Sequence, residues 1–182
     1  MRSFLYTVLF VACSLFASGQ SIRHIGADEG LNNPTVYSIV QDDWGFVWIG
    51  TRDGLYKYNE GRARSFPFLD STDFRRSNNV QSLLVTQDSV LLIGLQLGGI
   101  MGVDLESLRP IPDNKIPQLP REVSIISLHQ DSEGTIWAGS SGSGIFQLRL
   151  GSEDWERFVS DEYAEDLKFI FDFEDQGDTL WI

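Results

Sequence analysis

The 182 residues contain one cysteine, Cys13, two histidines, His24 and His129, and six prolines. That scarcity excludes a disulfide framework and any site built from clustered His and Cys ligands. Positive charge is also short: 14 basic against 26 acidic side chains leave a formal charge of -12. No basic surface is available to neutralise a nucleic-acid backbone or to dock on an anionic membrane. A run of the ~20 apolar residues that a spanning helix needs is missing, as is any sustained 3.6-residue period. There is no Gly-x-Ser-x-Gly nucleophile elbow and no phosphate-binding loop. What is present is 42% hydrophobic residues, 12% aromatic residues and 17 glycines, too apolar a mixture for a disordered tail.

The first residues pair one positive charge, Arg2, with an apolar run from Phe4 to Phe16 and the small residues Ala17-Ser18-Gly19. These are the parts of a secretory signal, so residues 1–19 are expected to be removed after Gly19. A lipoprotein cut before Cys13 fits poorly, because Phe10-Val11-Ala12 precedes it and the apolar run continues past it. Loss of Arg2 takes the charge from -12 to -13, and loss of Cys13 leaves a mature chain without cysteine. An exported, acidic, cysteine-free domain suits a bacterial periplasm.

Self-comparison carries the fold. Trp48-Ile49-Gly50, Leu92-Ile93-Gly94, Trp137-Ala138-Gly139 and Trp181-Ile182 align with offsets of 44, 45 and 44. The strand-like run Val36–Asp42 aligns with Val80–Thr86 and Ile125–Asp131, and a serine recurs ten residues before the Trp/Leu column at Ser38, Ser82 and Ser127. Each copy reads strand, turn, strand, turn, strand, with a looser fourth segment at Ala63–Phe66 and at Trp155–Val159. Four short antiparallel strands in ~40–45 residues form one blade of a β-propeller, which buries its faces only by stacking on neighbours. The expected fold is therefore all-β, a propeller of four-stranded blades at about 34–75, 78–119 and 121–165, with 167–182 cut short. Gly45, Gly134, Gly54, Gly99 and Gly144 are expected in turns with positive φ. Gly50, Gly94 and Gly139 are expected where another backbone approaches closely. In the fourth copy the serine column falls on Phe171.

The first copy, with Val36-Tyr37-Ser38-Ile39, Asp42-x-x-Gly45, Val47-Trp48-Ile49-Gly50-Thr51, Gly54-Leu55 and Tyr58, resembles the two-component regulator propeller repeat. The lead-in Gly30-Leu31-Asn32-Asn33 is similar too. The second copy departs, with Leu92 for Trp and Thr86-Gln-Asp-Ser89 for the first turn; the third has Ala138 and Ser140. The resemblance implies a periplasmic sensor region of a hybrid histidine kinase, with an oligosaccharide or other small ligand and a homodimeric ectodomain. It implies a membrane span and phosphorelay domains beyond Ile182. Three blades and a fraction do not close a ring that takes four to eight, so the chain reads as a fragment.

Chemistry has little to stand on, and catalytic, cofactor and metal sites are all expected to be absent. His129 reads as structural or merely exposed, and Ser140-Ser141-Gly142-Ser143-Gly144 joins two strands and opens no helix. Asp42 and Asp131 read as turn caps, since Asp-x-x-Gly in a hairpin offers too few oxygens for calcium. The acidic residues from Glu153 to Asp166 read as a solvated inter-blade loop. Trp48, Trp137 and Trp181, demanded by the repeat, are expected to pack between blades. Trp44 sits in a turn with no aromatic counterpart at Asp88, Glu133 or Gly177, and is the one candidate for ligand contact. Two other readings stay open: a propeller lyase or glycosidase using paired carboxylates, and a secreted interaction propeller without a kinase.

Overall fold

The computed structural model describes residues 22–68, 77–158, 168–176 and 179–182. The expected export signal, Cys13 included, lies outside these residues, as do Asp161, Glu162, Glu165 and Asp166 of the acidic run.

The described residues are nearly all strand and turn. β1 (Val36–Gln41), β2 (Val47–Thr51), β3 (Gly54–Asn59) and β4 (Arg62–Phe66) form one antiparallel sheet in sequence order. β5 (Val80–Val85), β6 (Val90–Leu95), β7 (Ile100–Asp104) and β8 (Arg109–Pro110) form the second. β9 (Ile125–Gln130), β10 (Ile136–Ser140), β11 (Ile145–Leu148) and β12 (Glu156–Phe158) form the third. β13 (Glu174–Gln176) and β14 (Thr179–Trp181) make a final hairpin. These are meandering blades, and they form an incomplete propeller without a closed ring.

The period of two along each strand decides which neighbour a side chain meets. Trp48 packs with Val80, Leu83, Leu91 and Ile93 between the first two blades. Leu92, one repeat on, joins Ile125, Ala138 and Phe146 between the second and third. Trp137 packs on Ile145, Ile170 and Phe173. The adjacent column faces the other way: Ile49 lies with Leu31, Tyr56 and Ala63 on the N-terminal side of the first blade. Fully burying a Leu, Ile or Val is worth about 1.5–3 kcal/mol, so these inter-blade layers dominate the stability.

The glycines and serines fit the blades to one another. A Cβ on Gly50 would lie 2.6 Å from Val80 Cγ1, and one on Gly139 would lie 2.7 Å from Ile170 Cβ. These are the expected positions of close approach, and the neighbour belongs to the following segment in each case: Val80 opens β5, and Ile170 precedes the last hairpin. Ser82 Oγ donates to the Ile125 carbonyl at 3.1 Å, and Ser127 Oγ to the Ile170 carbonyl at 2.9 Å. Ser38 Oγ accepts from the Leu83 N–H at 3.1 Å. The serine column is thus a line of hydrogen bonds between blades.

One expectation fails at the C-terminal end. Ile170, buried against Gly139, takes the place of Val80 and Ile125, so the serine column falls on Asp172 and not on Phe171, which is exposed. The cause is a shorter hairpin: Trp181 pairs with Glu174 seven residues earlier, whereas Trp137 pairs with His129 eight residues earlier. Trp181 is 58% exposed, and no described strand lies against its face.

Candidate functional site

The first turn of a blade is built by one carboxylate. Asp42 Oδ1 accepts the Trp44 and Phe46 N–H groups at 3.1 and 2.9 Å, the expected turn cap, with Gly45 at φ 85°. Its Oδ2 accepts the indole N–H of Trp48 at 2.8 Å. Asp131 repeats the arrangement on Glu133, Thr135 and the Trp137 indole. The second blade has no indole to satisfy, and there Thr86 caps the turn through the Val90 N–H, with Ser89 at φ 58° in place of glycine. The Asp and Trp columns therefore change together, a link that the spacing of six residues could have shown.

That turn holds Trp44 out into solvent, 50% exposed. Trp44 borders a hollow of about 420 Å³ with Phe46, Lys57, Leu105, Glu106 and Leu108. A second hollow of about 530 Å³ shares Phe46, Lys57 and Leu108 and extends to Asn59, Glu60, Arg62 and Arg64. Together they make one groove at the outer edge of the first two blades. It is open there because β8 has only two residues, against five in β4.

Sheet register puts the cations into it. Trp48 pairs with Lys57 and Lys57 with Arg64, so the three stand in one cross-strand row. Arg62, Arg64 and Phe66 alternate on the same face of β4, and Phe66 meets Trp48 edge-on at 5.0 Å. Lys57 Nζ lies 3.5 Å from the centre of the Phe46 ring and 5.3 Å from that of Trp48. Burial holds the Lys57 ammonium below the ordinary lysine range, against the opposing pull of Asp42. Among the described residues Arg62 hydrogen-bonds the Asp28 carbonyl, at 3.5 Å, and neither Arg62 nor Arg64 makes an ion pair. In the third blade the equivalent row is Trp137, Gln147 and Glu156, closed on itself by a Gln147–Glu156 hydrogen bond of 3.2 Å.

Only Trp44 of this groove was legible as a candidate. The alternation Arg62-Ala63-Arg64-Ser65-Phe66 was a usable signal for the rest, but the pairing with Lys57 depends on strand register. His24 is exposed and lines neither hollow, and His129 stacks on Phe173 at 6.3 Å with its Nε2 buried and unpartnered among the described residues. Ser140 Oγ donates to the Gly144 carbonyl at 2.7 Å and accepts the Ser143 N–H at 2.9 Å, so the Gly-Ser loop is a strand turn. Trp155 precedes β12 and donates its indole N–H to the Pro117 carbonyl at 2.9 Å. Among the described residues no three His, Cys, Asp or Glu side chains converge on a metal position.

Comparison with known proteins agrees with this architecture. Residues 30–53 and 118–142 match the family model described as two component regulator propeller. The extracellular domain of a hybrid two-component system from B. thetaiotaomicron superposes with a TM-score of 0.69 at 24% identity, over 84% of this chain and 21% of that one. A second such domain from the same organism gives 0.63 at 19% identity, over 76% and 20%. Virginiamycin B lyase from Staphylococcus aureus gives 0.52 at 17% identity, over 69% and 42%. The chain thus spans about a fifth of the two extracellular domains. No curated protein matches it by sequence. The two matched stretches each open a blade of an unclosed propeller, and there the chain is similar to the two component regulator propeller family.

Proposed function

We propose that the chain is a sensing segment of a two-component signalling protein, exported to the periplasm, and that it works by recognition without making or breaking bonds in its ligand. The observation that carries this reading is the family match at 30–53 and 118–142, each falling where a blade begins. The shared fold with extracellular domains of hybrid two-component systems supports it. The ligand is a small oligosaccharide, and the working assembly is a homodimer of the whole ectodomain joined to a kinase across one membrane span. Ligand then shifts the equilibrium between two dimer states, by no more than its difference in affinity for them.

The test is a thermal-shift and product-analysis screen of the complete ectodomain against oligosaccharides. A sensing segment gains stability with ligand, about 2.7 kcal/mol at a hundredfold excess over Kd, and returns the glycan intact. A chain that cleaves its glycan, or that no saccharide stabilises, is something else.

A further inference from the structure

The groove between the first two blades differs from the rest of this acidic molecule in chemistry as well as shape. Three cations, Lys57, Arg62 and Arg64, border it against two carboxylates, Glu60 and Glu106, while the whole chain carries -12. Clustered cations make the local field positive within an otherwise negative surface and draw anions to it, and the row that a Gln147–Glu156 hydrogen bond closes in the third blade is left open here. Arg64 instead presents a free guanidinium fork, which matches the geometry of a carboxylate or sulfate. Lys57 is held in place by the Phe46 ring, so less of its freedom remains to be lost on binding. Trp44 supplies an exposed, flat apolar face at the same groove. A hollow of about 530 Å³ is of the size that takes a small ligand, and too small for a folded partner.

We propose that this groove is a binding site for a small anionic saccharide, its carboxylate or sulfate on Arg64 and Lys57 and its ring stacked against Trp44. The site deepens the sensing function proposed above and rests on it for the saccharide class, but it stands on different residues from the repeat match. Arg62 adds attraction from the rim, and Glu60 and Glu106 set the groove against ligands with a second anion on the wrong side. The sugar acid and the sulfated sugar share the chemistry that the groove reads, and the two are separated by experiment.

The experiment is fluorescence and calorimetric titration of the full chain with digalacturonate, a sulfated disaccharide and neutral cellobiose. The expected result is binding of one or both charged disaccharides, a loss of at least tenfold in affinity between low and 0.5 M salt, and no binding of cellobiose. Arg64→Gln and Trp44→Ala each lower the affinity about tenfold while leaving the circular dichroism and unfolding midpoint near those of the parent. Both residues are exposed, and Arg64→Lys, which keeps the charge but loses the fork, gives an intermediate loss. Binding of a charged disaccharide that is indifferent to Arg64 and Trp44 overturns the groove while leaving the sensing function intact. If neither charged disaccharide binds, the groove proposal falls, whatever the oligosaccharide screen of the ectodomain returns.

Discussion

Asp42 has two carboxylate oxygens and uses both, one on the turn and one on the indole of Trp48, with Asp42 5% and Trp48 0% exposed. Trp48→Phe leaves the Oδ2 buried without a donor, at a cost of about 1–3 kcal/mol beyond the loss of packing. Thr86 and Leu92 show the same place filled without the indole. The pair Asp42→Thr and Trp48→Leu should therefore cost less together than the two single changes added, by about 1 kcal/mol or more. Urea unfolding of the four proteins with a common m-value measures it, and strict additivity would show that the two columns are independent. Asp104 gives the corresponding pH effect. Its Oδ1 accepts the Ser107 backbone N–H and hydroxyl, both at 2.7 Å, which holds the carboxyl below its ordinary 3.8. A depressed carboxylate contributes stability that is complete above its unfolded pKa and is lost as pH falls through the folded one. Asp104→Asn should therefore flatten the acid side of the stability curve below about pH 4 and leave its upper part parallel to the parent's. Unfolding midpoints from pH 6 to 3 decide this, and an unchanged acid slope would refute it.

Between elements, what the repeat made legible was the blade itself: strand order, the turns at Gly45 and Gly134, and the close approach at Gly50 and Gly139 all follow from columns that recur. What it left hidden depends on pairing between segments. The serine column was visible, but its acceptors, the Ile125 and Ile170 carbonyls, lie 43 residues on and belong to the next blade. The groove was hidden for the same reason, since it arises from the register of Lys57 on Arg64 and from a β8 of two residues. The fourth hairpin was misaligned at Phe171 because an indole column cannot reveal a turn one residue shorter. Gly94 tests the inter-blade fit, because a Cβ there would lie 2.9 Å from both the Ile125 Cγ2 and its carbonyl oxygen, and would also press on Ser82 Oγ. Gly94→Ala should destabilise by about 1–3 kcal/mol through overpacking. Ser82→Ala, which removes the hydroxyl without crowding, should cost about 1 kcal/mol. Thermal unfolding of both separates crowding from the lost hydrogen bond, and a neutral Gly94→Ala would mean that the blades slide apart freely.

Across the molecule, stability is a chain of neighbour interfaces and not one central core, because each blade meets only the blades beside it. The second blade is packed on both faces: Leu91, Ile93, Met101 and Val103 lie toward the first blade, and Leu92 and Ile100 toward the third. The first blade has its N-terminal side covered in part by Leu31 and Ile25, while Tyr37 and Ile39 on β1 remain 45% and 63% exposed. The last hairpin has Trp181 and Ile182 exposed at 58% and 53%, and only its inner side rests on Ile145 through Ile170 and Phe173. Local opening should follow this order, since the free energy of opening rises with the apolar contact that must be broken. Hydrogen exchange followed by mass spectrometry should find β5, β6 and β7 slowest, β1–β3 and β9–β11 intermediate, and β13–β14 fastest. Trp48→Ala, at the first interface, should speed exchange in β2 and β6 together while leaving β10 and β13 near their original rates. Acceleration spread evenly over every blade would instead mean that the molecule opens as a single cooperative unit, and the nearest-neighbour description would be wrong.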